Sequence, residues 1–201
     1  MANFLSQLTM VKVPSPVAAA PAPAAEILAN IRSQFRNGIL DREVLDVNQI
    51  NLETLALLRG DAMRYDISIR TEFAADLPLI AGDRVQLQQV AMNLIVNSIE
   101  AMKDVEGTRE LVIKSERAQY AGIIVSFIDT GVGLPPQFAE RIFDPFVTTK
   151  QNGTGMGLRI SRSIIESHGG RLWAVNSQGR GATFQFELPP AIPERAKGSQ
   201  T

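Results

Sequence analysis

The spacing of apolar residues changes period several times along the chain, and each change predicts an element. Between Asn48 and Tyr65, the residues Ile50, Leu52, Leu55, Leu57 and Leu58 recur at helical spacing. ISIRTEF (67–73) then alternates, with Ile67, Ile69, Thr71 and Phe73 on one face of an expected strand. The clearest helix runs from Asp83 to Met102, opened by an Asp N-cap with Gln86 three residues on. Leu87, Val90, Ala91, Leu94, Ile95, Ser98, Ile99 and Met102 fill one side of it. ELVIKSER (110–117) and GIIVSFID (122–129) read as strands, and 130–155 as mostly loop with a short helix around Pro136 to Arg141. A further helix spans Met156 to His168 and stops at Gly169-Gly170. RLWAVNS and ATFQFELP form a closing strand pair across a glycine-containing turn. Strands 110–117 and 122–129 adjoin with no helix between them, which predicts an α+β fold with a mixed sheet and helices on one face.

The ends read differently. Residues 14–25, PSPVAAAPAPAA, are Pro/Ala low complexity, so 1–25 is expected to be a disordered linker or remnant. Ile27, Leu28, Ile31 and Phe35 in 26–36 suggest a short amphipathic helix that looks like the end of something longer, within a connector over 26–45. The folded domain is expected over 46–190, with a polar tail at 191–201. No run reaches the ~18 apolar residues of a membrane span. Lys12 follows the first apolar stretch, whereas a signal peptide carries its charge before it. The expectation is a cytoplasmic chain without membrane contact. A formal net charge of -1 gives no reason to expect a nucleic-acid partner, and the absence of cysteine excludes disulfides and thiolate metal sites.

Three segments carry candidate chemistry. On the 83–102 helix, Gln89, Asn93, Asn97 and Glu100 fall within roughly 80° of arc, opposite the apolar side. A solvated face is the simpler account, but such faces favour Lys, Glu and Arg over Asn, a weaker helix former. Neutral oxygen donors suit a Mg²⁺ that keeps its waters and bridges phosphates. The strand ending at Asp129 runs into DTGVGLP (129–135), where G-x-G lets the backbone approach a planar ligand while Asp129 accepts a hydrogen bond from it; a turn with an Asx cap is the alternative. NGTGMGL (152–158) places Gly153, Gly155 and Gly157 directly before a helix, an arrangement that presents backbone N–H groups to phosphate. It is neither a P-loop nor a dinucleotide fingerprint, because the Lys-Ser/Thr is missing and the spacing is G-x-G-x-G. Between the loops, Phe143 and Phe146 flank Asp-Pro, and Lys150 stands within reach of phosphate, as a mobile lid would need.

In order, these pieces resemble the catalytic ATP-binding domain of bacterial sensor histidine kinases, in the superfamily that also holds the gyrase, Hsp90 and MutL ATPases. QQVAMNLIVNSIEAM is similar to the family's N box, DTGVGLP to its first G box, FDPF to its F box and GTGMGL to its second. SHGGRLWAVNS and GRGATFQFELP resemble its closing strands. The resemblance implies a two-layer sandwich of three helices on a mixed, mostly antiparallel sheet, with ATP and Mg²⁺ as cofactors. It implies that Asn97 holds Mg²⁺ with Asn93 beside it, and that Asp129 reads the adenine amino group. Gly131 and Gly133 would line the base, with Thr183 supporting Asp129. Gly153, Thr154, Gly155, Met156, Gly157 and Leu158 would wrap the phosphates, with Lys150 nearby and Phe143 and Phe146 anchoring the lid. Where many sensor kinases carry a cation three residues after the second Asn, this chain has Glu100, so either Lys103 or Lys150 supplies that charge.

In the superfamily's ATPases the position matching Asn93 is a Glu that activates water. An amide cannot act as a general base, which favours transfer to a protein over hydrolysis. The family's acceptor is a His on a dimerising hairpin, and the chain's one His, His168, stands instead in SHGG at a helix end, where packing or capping accounts for it. The expected partners are therefore ATP and a His-containing dimerisation domain or response regulator. Two rivals stay open: a nucleotide-binding module without activity, and an anti-sigma-factor-type serine kinase of the same superfamily.

Overall fold

Two aspartates start the two long helices. Asp46 accepts from Asn48 N at 2.8 Å and opens α1 (Val47–Arg64), and Asp83 accepts from Gln86 N at 3.1 Å and opens α2 (Arg84–Met102). In each case a side-chain oxygen satisfies an N–H that has no partner within the helix. The computed structural model describes residues 42–119, 121–135, 141–147, 154–177 and 179–191, all within the unit Ile39–Thr201. The third helix of the described residues, α3 (Gly157–Ser167), ends where Gly169 adopts φ +77°, donating to Glu166 O at 3.0 Å.

Among the described residues, five strands form the main sheet, in the order β2 (Ser68–Phe73), β4 (Glu110–Arg117), β5 (Ile123–Asp129), β7 (Ala182–Leu188) and β6 (Arg171–Asn176). Only the β2–β4 pair is parallel, so the chain must cross over between them, and it does so through α2. β1 (Glu43–Leu45) and β3 (Ile80–Gly82) make a separate antiparallel pair. At three residues each, these two strands are too short to show a period in the sequence. With Leu45 buried, the fold also begins ahead of the boundary expected at Asp46.

Alternation along the strands decides what is inside. Leu111, Ile113, Ile123, Val125, Phe127, Phe184, Phe186 and Leu188 are buried in one cluster with Leu87, Val90, Ala91, Leu94, Ile95, Ile99 and Met102 of α2 and Ile160, Ile164 and Ile165 of α3. The α2 core face is the one expected from periodicity. On the other sheet face, Trp173 Nε1 donates to Gln185 Oε1 at 3.1 Å, and Gln185 Nε2 donates to Ser126 Oγ at 2.8 Å, linking three strands. The amphipathic helix expected at 26–36 and most of that around Pro136–Arg141 lie outside the described residues; Arg141 to Phe146 form turns.

His168 binds two helix ends together. Its Nδ1 lies 2.7 Å from Ile164 O, and its Nε2 accepts from Asp83 N at 3.0 Å. The carbonyl can only accept, so Nδ1 carries the proton and the Nε2 lone pair is already used. The ring takes the Asp83 N–H that a reciprocal Gln86 side chain would otherwise satisfy. Buried to 4% exposure, His168 is a structural bridge between the start of α2 and the end of α3.

Candidate functional site

Asp129 ends the central strand β5, and its position in the alternation turns it toward the helices beside Phe127. It is 1% exposed. Oδ1 accepts from Gly131 N at 2.9 Å and from Ala182 N at 3.2 Å, whereas Oδ2 is buried with no hydrogen-bond partner among the described residues. Burial pushes the carboxyl above its ordinary value of 3.8, and the Gly131 and Ala182 N–H groups hold it back; the one proton of the nearby Ser98 hydroxyl goes to Leu94 O. One oxygen is thus fixed by backbone, and the other is a desolvated acceptor awaiting a donor.

The segment after Asp129 is held from two sides. Val132 N donates to Ala101 O at 3.2 Å, which sets Gly131 against the end of α2. Gly133 has φ +75°, and the Asn176 carboxamide grips the next residue: Leu134 N donates to Asn176 Oδ1 at 2.7 Å, and Asn176 Nδ2 donates to Leu134 O at 3.1 Å. Gly181, at φ +96°, passes so close to Asp129 that a Cβ would lie 1.8 Å from its carbonyl oxygen. No side chain fits there. Beside it, Arg180 donates to Glu106 O and Thr108 O at 2.9 and 3.1 Å.

The asparagine stripe meets the second glycine loop. Asn93 Nδ2 donates to Ser161 Oγ at 3.2 Å and lies 3.4 Å from Gly157 O, so the half-buried Asn93 ties α2 to the first turn of α3. Asn97 lies one turn further along α2, also half-buried. Thr154 Oγ1 accepts from Met156 N at 3.3 Å, and no side chain caps α3, whose first N–H groups sit at Gly157 and Leu158. Met156 and Leu158 are partly buried against the core. Among the described residues no three His, Cys, Asp or Glu side chains gather in a metal-binding group. The carboxamides of Asn93 and Asn97 are neutral oxygen donors of the kind that suits a Mg²⁺ completed by water and phosphate oxygens rather than one enclosed by protein.

The structure corrects two expected roles. Phe143 is buried, with the Arg162 guanidinium 5.1 Å from its ring centre, whereas the Phe146 ring is 76% exposed and is not packed into the core. Phe146 sits at φ +65°, and it is its backbone N–H that is held, donating to Gly155 O at 3.2 Å. Thr183 pairs with Ile128 on the sheet face away from Asp129, and its Oγ1 lies 2.9 Å from Ser177 Oγ. The contact expected of it comes from the Ala182 N–H, one residue earlier. Lys150 and Gly153 lie outside the described residues. Sequence reasoning missed Asn176, Gly181 and Ala182. Only Gly181 left a signal there, the GRGA turn, while the other two act through a distant partner and a backbone amide.

Residues 82–192 match the profile of the family described as histidine kinase-, DNA gyrase B- and HSP90-like ATPase. The chain is 39% identical over 168 residues to the sensor protein FixL of Bradyrhizobium diazoefficiens, covering 84% of this chain and 33% of that protein. It spans a third or less of the length of the curated relatives FixL, TdiS and TmoS. The nucleotide-free catalytic domain of the histidine kinase ThkA superposes with a TM-score of 0.66 at 33% identity, over 75% of this chain and 96% of that one. Full-length ShkA in complex with AMPPNP superposes with a TM-score of 0.71 at 26% identity, over 85% of this chain and 36% of that one.

Proposed function

We propose that this chain, which belongs to the family of histidine kinase-, DNA gyrase B- and HSP90-like ATPases, binds Mg-ATP and donates its γ-phosphoryl group to a histidine outside the described domain. The observation that carries the reading is the buried, unpartnered Oδ2 of Asp129. An exocyclic amino group such as that of adenine is the donor it lacks, and an acceptor already desolvated loses little on binding. Gly131 and Gly133 then flank the base. At the other end, the amides of Thr154 to Leu158 and the uncapped start of α3 face the phosphates. Asn97 would hold Mg²⁺, whose chemistry there would be neutralisation of phosphate charge. Lys150 is the cation beside it.

In the transfer, an acceptor imidazole nitrogen bonds to the γ-phosphorus while the bond to the β,γ-bridging oxygen breaks, and ADP departs. His168 is a poor candidate for that nucleophile, since it is 4% exposed with both ring nitrogens engaged. Asn93 has no basic group with which to activate water in competition. A response regulator or a His-bearing dimerisation helix is the expected partner. Calorimetric titration of Mg-ATP into the wild type, Asp129→Ala and Asn97→Ala tests the reading. Binding should be abolished by Asp129→Ala and should lose its Mg²⁺ dependence in Asn97→Ala. A wild type that binds no nucleotide would sink it. If binding holds, an acid-stable phosphoprotein product would turn the assignment from histidine to serine.

A further inference from the structure

We infer that Asn176 is a positioning residue for the base side of the nucleotide site, acting without touching the nucleotide; this rests on the ATP-binding reading above. Asn176 closes β6, and its backbone pairs with Ala182, whose N–H fixes Asp129 Oδ1. Its carboxamide reaches 42 positions back along the chain to hold both the N–H and the C=O of Leu134, at 2.7 and 3.1 Å. A planar amide with one donor and one acceptor reproduces what a neighbouring strand would offer. The loop after Asp129 is therefore tied to β6 through a side chain as though it were another strand.

Gly133 lies against the same group: a Cβ at this position would come within 3.0 Å of Asn176 Oδ1 and 3.2 Å of Gly181 O. Its φ of +75° is the turn that carries the chain from Asp129 past the carboxamide. One side chain thus fixes the end of the 129–134 loop, where the segment toward Phe143 departs, relative to the strand that orients the Asp129 carboxylate. The base pocket is then set before nucleotide arrives, and binding does not have to order it.

The test compares wild type, Asn176→Ala and Asn176→Asp for binding of Mg-ATP and ADP, with thermal melting and amide hydrogen exchange on the unliganded protein. Losing two exposed hydrogen bonds should weaken binding by about 5- to 10-fold. The loss should be equal for ATP and ADP, because the base side is common to both. Leu134 should exchange faster while the melting temperature stays near that of the wild type. Asn176→Asp keeps an acceptor for Leu134 N but sets a charge against Leu134 O, so its affinity should fall between the other two. Unchanged affinity in Asn176→Ala would overturn the inference. So would weakened binding that comes with a large drop in melting temperature and faster exchange throughout, which would make the residue structural only. A wild type that fails to bind either nucleotide points instead to failure of the ATP-binding reading itself.

Discussion

At the scale of residues, the candidate site is built around a carboxylate whose charge burial disfavours. Asp129 is buried, and its pKa is raised chiefly by desolvation. Where the folded pKa lies above the unfolded one, the folded state binds the extra proton, so stability is lost as pH rises through the raised value. Asp129→Asn should therefore melt at or above the wild-type temperature at pH 7, with the difference shrinking as pH is lowered toward 4; scanning calorimetry across that range reads the sign. The same variant should lose ATP, because an amide NH₂ in place of Oδ2 meets an amino group donor to donor. A melting temperature well below wild type at pH 7 would contradict this account. Asp129 was legible as a site residue because it ends an apolar run just before G-x-G. The misplacement of Thr183 shows the limit of that reading: a shift of one residue turns a side chain to the other face, and register is fixed by pairing that sequence alone does not display.

At the scale of elements, the two long helices were legible because their periods are long, and the start of the second is marked in the sequence by Asp83. The ties between elements were not. His168 reads locally as a helix end, yet its Nε2 serves a backbone amide 85 residues away. His168→Ala would leave Asp83 N without its ring partner and open a void beneath Gly82, at a cost of about 2–4 kcal/mol. Denaturant unfolding measures that loss, and a cost near zero would remove the bridge from the account. Asn93 is likewise legible as a polar residue on a helix face, while its link to Ser161 could be seen only once α3 had been placed. The roles of Phe143 and Phe146 separate for a related reason: the positive φ of Phe146 comes from its loop and turns a ring outward that composition alone would bury.

At the scale of the whole molecule, Asp129 sits on the middle strand of the five described in the main sheet, so the proposed base contact is joined to the core and not to an appendage. Mg-ATP at 100-fold over its dissociation constant should then raise the stability of the domain as one unit, by about 2.7 kcal/mol. A single calorimetric transition that moves upward as a whole is the expected trace; a separate early transition left unmoved by ATP would mean that the site lies outside the cooperative core. The mixed sheet was legible from strands 110–117 and 122–129 adjoining with no helix between them, whereas the β1–β3 pair was too short to register. That small pair has its own consequence. Leu45 pairs with Ile80, and Ala191 N donates to Leu79 O at 2.7 Å, so the first and last described stretches flank one short strand. The polypeptide comes in and goes out at the same corner. A domain wired in this way behaves as a cassette: it can be spliced into a surface loop of a host protein, or have its old ends joined and new ones cut elsewhere, without a strand of the main sheet being moved.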